Sequence, residues 1–156
     1  MKVRTIPVLV SGTILFIAFG LAWAAAREPV SGCGDAIATG PNTFAGTATL
    51  TIGGGDPLTA NVVVTLLDMV DKDGVLHVTL THAFDFADGN AFTTQDTGVA
   101  EPINEFGLHN LNETLTIVSG TGEFEGASGI LHVHGQLDFG ASPPEAIYEV
   151  HGVISR

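Results

Sequence analysis

The chain has 156 residues, with 17 acidic side chains against five Lys and Arg, a formal charge of −12 and 45% hydrophobic residues. That acidic excess excludes nucleic-acid binding, which needs a cationic patch to displace counterions from phosphates, and it disfavours anionic membrane surfaces. The apolar content suffices for the core of one domain.

Met1-Lys2-Val3-Arg4 is a short basic start, and the run from Ile6 to Ala26 carries no charge. Ala22-Trp23-Ala24 and Ala24-Ala25-Ala26 both fit the A-x-A cleavage rule. Basic, apolar and small regions in that order predict a signal peptide over residues 1–26 and a secreted or periplasmic protein. The uncharged run of 21 residues is also long enough to cross a bilayer, so a retained anchor is the alternative. Ser11, Gly12, Thr13 and Gly20 dilute its apolarity and favour cleavage. About 130 residues then remain, in which Arg27, Lys72 and Arg156 face all 17 carboxylates, a net charge of −14.

Residues 27–42 are rich in Gly, Ala and Pro without periodicity and read as a flexible tether. Cys33 is the only cysteine, which rules out an intramolecular disulfide. Val30-Ser31-Gly32-Cys33 has the small-residue pattern that precedes a lipid-modified cysteine, but Arg27, Glu28 and Pro29 separate it from the apolar run. A free thiol is the simpler reading. Membrane attachment is expected only if the leader is retained or Cys33 is lipidated.

From Thr43 onward the hydrophobic period is two. It predicts strands over Phe44–Ile52, Leu58–Val70, Val75–Phe86, Ala91–Val99, Leu108–Val118, Ile130–Phe139 and Ala146–Ile154, with a short further one over Glu123–Ala127. Asp71-Lys72-Asp73-Gly74 and Asp88-Gly89-Asn90 are hairpin signals, and glycine- and proline-rich stretches make the longer turns. No other window has helical periodicity. The fold predicted for residues 43–156 is all-β, a single closed antiparallel β-barrel of about eight strands, calycin-like. Closure follows because an open sheet of such strands would leave apolar edges unpaired.

In the strand from Val75, residues Leu76, Val78, Leu80, His82, Phe84 and Phe86 share the apolar, inward face. Leu131, Val133, Gly135, Leu137 and Phe139 form the inward face of the next-to-last strand, leaving His132 and His134 outside. In the last strand Tyr148, Val150, Gly152 and Ile154 point inward, with Glu149 and His151 outward.

Phe84-Asp85-Phe86-Ala87-Asp88-Gly89, the run Leu115 to Gly129 with its G-T-G-x-F-x-G-A-x-G core, and Tyr148 to Ile154 together resemble the bacterial relatives of the allene oxide cyclase and dirigent β-barrel families. The resemblance implies an eight-stranded antiparallel barrel, often a homo-oligomer, with an apolar cavity in which a reactive intermediate is steered into one product. The cyclase's catalytic carboxylate and water-binding residues do not map onto named positions here, so no catalytic residue carries over.

His82 interrupts an apolar face, so it is either a hydrogen-bonded core histidine or a proton carrier lining a cavity. Tyr148 is its expected polar companion, and Leu80 and Phe84 are the flanking cavity-lining candidates. His132 and His134 have the H-x-H spacing by which a strand offers two imidazoles to one metal, and His151 could lie opposite His134 with Glu149 nearby. Outward polar histidines on a sheet explain the same pattern without a metal. Gly120-Thr121-Gly122 leads into strand rather than helix, so it is no dinucleotide turn, and Asp71-Lys72-Asp73-Gly74 lacks the later ligands of a calcium loop. No cofactor is predicted. Three functions stay open: a small apolar ligand held in the cavity, a cofactor-free cyclase or isomerase-like catalyst in that cavity, and a side-chain-filled barrel acting as a surface interaction protein.

Overall fold

The computed structural model describes residues 26–156. The leader assigned to residues 1–26 lies outside them except for Ala26. Eight strands, β1 (Arg27–Gly40), β2 (Thr43–Ile52), β3 (Leu58–Lys72), β4 (Val75–Phe86), β5 (Ala91–Pro102), β6 (Leu108–Thr121), β7 (Ser128–Asp138) and β8 (Glu145–Ser155), follow one another around a closed barrel. Every neighbouring pair is antiparallel, including the seam of β1 with β8, so no sheet edge is left open.

The stretch expected to be a tether is therefore β1, paired with β2 on one side and β8 on the other. Its inward positions are Val30, Gly32, Gly34, Ala36 and Ala38, too small to give an apolar alternation. They are small because neighbours occupy their space. A Cβ at Gly32 would lie 2.8 Å from the Leu50 side chain, and one at Gly34 would lie 2.6 Å from the Tyr148 ring. Cys33 points outward and is exposed. Cleavage before Cys33, as lipidation requires, would strip Arg27–Gly32 from both partners, whereas cleavage after Ala26 leaves β1 whole.

The hairpins follow the turn chemistry. Asp73 and Gly74 adopt φ of 57° and 86° between β3 and β4, the left-handed pair of a tight two-residue turn. The segment Glu123–Ala127 is not a strand. Gly122–Phe124 forms a single 3-10 turn, with Gly122 at φ 62° and Gly126 at φ 74° reversing the chain. The turn drives Phe124 into the end of the barrel, where it is 1% exposed and packs on Phe86 and Phe92 at ring-centroid distances of 5.1 and 5.2 Å. Asn90 Oδ1 accepts from the Glu123 amide and Thr121 Oγ1 donates to the Gly89 carbonyl, which ties the turn to the β4–β5 hairpin. Arg156 donates to Glu28 Oε2 at 2.7 Å and lies over the Phe124 ring, 5.3 Å from its centroid. One end of the barrel is thus sealed.

The core fills that half. Phe84, Phe92, Leu50, Leu115, Leu131, Val150 and Ile154 are all 1% exposed or less. Toward the other end β3 carries a bulge. Its pairing with β4 slips between Leu66 and Asp68, leaving Leu67 59% exposed. The extra residue shifts the phase of the alternation, so Val64, Leu66 and Met69, rather than Asp68, face the interior.

Candidate functional site

The unsealed half encloses a cavity of about 370 Å³. Apolar side chains from all around the barrel line it, among them Phe44, Leu66, Leu76, Val133 and Leu137. The polar side chains among its lining residues are His82, Glu113 and Tyr148. Of the expected lining residues, His82 and Tyr148 are there. Leu80 is buried on the same strand face but does not line the space, and Phe84 lies below it in the packed half, stacked on His82 at 5.7 Å and on Phe92 at 4.6 Å.

His82 is 4% exposed. Its Nδ1 donates to Asp96 Oδ2 at 2.9 Å, and Thr94 Oγ1 donates to the same oxygen at 2.9 Å while accepting from the His82 amide at 3.3 Å. Asp96 thereby fixes the ring and leaves Nε2 facing the Glu113 carboxyl, with 3.8 Å between Nε2 and Oε2, beyond hydrogen-bond length. The strand pattern builds this layer. His82 sits between Leu80 and Phe84 on β4, Asp96 follows Phe92 and Thr94 on the inward face of β5, and Glu113 lies between Leu111 and Leu115 on β6.

Glu113 is 7% exposed. Burial pushes its carboxyl above the usual carboxylate range; the nearby His82 opposes that shift and the Asp96 charge adds to it. Burial also pushes the Tyr148 phenol up, with further upward contributions from Asp35, Glu113 and Cys33. The Tyr148 hydroxyl and Asp96 Oδ1 are buried without a hydrogen-bond partner. Orphaned polar atoms of this kind are uncommon in folded proteins, and one of them belongs to a side chain that lines a cavity.

Asp96, Thr94 and Glu113 are not among the inward residues read from the sequence. The signal was nonetheless available. Phe92, Thr94, Asp96 and Ala100 keep strict alternation, as do Leu111, Glu113, Leu115 and Ile117, and both sets are buried.

The outer histidines do not take up the register that a shared metal would have required, with His151 opposite His134. His151 lies opposite His132, and Glu149 lies opposite His134. His134 Nδ1 is 2.7 Å from Asn112 Oδ1, and His151 Nε2 is 3.5 Å from Glu149 Oε2. Among the described residues no three His, Cys, Asp or Glu side chains converge as a metal site.

No family model matches the chain, and no curated protein matches it. Solved structures similar to the chain include two of pterocarpan synthase dirigent proteins. GePTS1 is 20% identical with a TM-score of 0.44, the match covering 86% of this chain and 94% of that one. PsPTS1 is 18% identical with a TM-score of 0.47, covering 86% and 97%.

Proposed function

We propose that this protein is an exported barrel that holds a small apolar ligand in its open half. One observation carries the reading. The barrel buries Phe124 and Phe84 almost completely at one end but encloses about 370 Å³ in the other half, lined from all eight strands, a volume in the range of small-molecule sites. A barrel serving only as an interaction surface has no use for an apolar cavity, which forfeits packing contacts. Export is supported by the leader pattern and by the start of β1 at Arg27, directly after the expected cleavage site.

Native mass spectrometry of the protein from its own host tests the ligand reading. A bound species of a few hundred daltons that leaves on mild activation is expected. A mass equal to the bare chain, together with failure to take up any apolar probe, would overturn it.

A second reading, cofactor-free acid–base catalysis in the same cavity, is favoured by His82. Its ring is oriented by Asp96 and its free nitrogen faces the carboxyl of a lining residue, the arrangement by which a base and an acid are placed around a substrate.

A further inference from the structure

The polar floor of the cavity is built by neighbours that make room for it. Gly98 is the cross-strand partner of Glu113, and a Cβ there would lie 2.6 Å from the Glu113 side chain. Gly34 is the partner of Tyr148, and a Cβ there would meet the ring and hydroxyl, each at 2.6 Å. Both polar side chains thus occupy space that two glycines keep free, although an apolar residue would fill the same place at less cost.

Their hydrogen-bonding capacity is unspent. The Tyr148 hydroxyl has no partner, and the His82 nitrogen nearest Glu113 is too distant to bond. A phenol donates readily, and so does a carboxyl in its protonated form, which burial favours at Glu113. An incoming carboxylate would instead be desolvated among apolar walls, with the buried Asp96 behind His82, in a chain that is already strongly acidic.

We propose that the floor of the cavity receives an uncharged carbonyl oxygen: the ligand is a small apolar ketone, aldehyde or ester, its oxygen met by Tyr148 and Glu113 and its apolar body lying toward the mouth. Acceptor chemistry is selected by the two donors, and neutrality by the apolar walls and the Asp96 carboxylate behind His82. The inference rests on the cavity being a ligand site.

Competition against N-phenyl-1-naphthylamine, an uncharged apolar fluorophore, separates the two claims. With the mature protein near pH 7, decan-2-one is expected to displace the probe at concentrations at least about tenfold below those required of decanoate, about the value of one hydrogen bond. Tyr148→Phe and Glu113→Leu should each weaken decan-2-one about tenfold relative to the probe, and Glu113→Gln, which keeps a donor, should restore ketone binding. Equal or tighter binding of decanoate overturns the inference and leaves the ligand reading standing. So does a Tyr148→Phe variant that binds the ketone as well as the parent protein. If neither probe nor ketone binds, both readings fail together.

Discussion

The two ends of this barrel are made from the same kind of strand and reach opposite states. At the sealed end four phenylalanines, Phe84, Phe86, Phe92 and Phe124, stack within centroid distances of 4.6–5.7 Å, and a turn between β6 and β7 supplies the last of them as a plug. At the open end the inward residues are mostly aliphatic or small, with Phe44 among them, and Pro41, Phe139 and Pro144 from the connecting turns line the space without filling it. The polar layer of His82, Thr94, Asp96 and Glu113 lies between them. One inserted turn, rather than a different sheet, separates a packed core from an open cavity.

The largest expected effect tests that contrast directly. Phe124→Ala removes the plug from close-packed surroundings and should cost about 3–5 kcal/mol in denaturant unfolding. Phe44→Ala, at a residue that already faces the cavity, should cost no more than about 1.5 kcal/mol, since it leaves little new void. Equal losses at the two positions would break the comparison.

Next in size is the polar layer. Asp96→Ala leaves the His82 ring and the Thr94 hydroxyl without their shared acceptor, and about 3 kcal/mol of stability should go with it. His82→Phe, which removes the group that needs the acceptor but leaves Asp96 buried, should cost on the order of 1–3 kcal/mol. A His82→Phe variant as stable as the parent would show that the layer is not held together by this pair.

A smaller, pH-dependent effect belongs to Glu113. Because the folded state raises its pKa, its favourable contribution is present below the unfolded value of 4.5 and is lost as pH rises through the folded value. Glu113→Gln is therefore expected to melt higher than the parent protein at pH 8 and nearly with it at pH 4. The opposite order would mean that the His82 attraction outweighs burial.

The smallest effect is spectroscopic. Tyr148 is the only tyrosine, and its folded pKa lies above the ordinary value of 10. Absorbance at about 295 nm should show no tyrosinate as pH passes 10, appearing only when the barrel unfolds. Stability tied to the neutral phenol is lost as pH rises above 10. An ordinary titration of Tyr148 in the folded protein would place its hydroxyl in contact with water.

Seven of the strands, the inward face of β4 and the hairpin at Asp73-Gly74 are legible from alternation and turn residues alone. β1 is not, because its interior positions are glycine and alanine, and the side chains that justify them, Leu50 and Tyr148, lie on other strands. His82 and Tyr148 could be placed inward for the same reason that Asp96 and Glu113 were missed. An imidazole or phenol on an apolar face reads as buried, whereas a carboxylate reads as exposed until its partners are known. The bulge at Leu67 escapes for a different reason, since nothing within β3 marks where its pairing with β4 slips.

The seam between β1 and β8 has a consequence for how the chain comes into being. Glu28 and Arg156 are joined across 128 positions, so the first strand to leave the ribosome finds one of its two partners last. Until the final 11-residue strand, Glu145–Ser155, is released, a nascent chain has two bare edges, β1 and β7. Such edges recruit other chains. Hairpins can form as the chain emerges, but the barrel closes only once β8 is present, and the β8 sequence decides whether the chain closes on itself or on its neighbour.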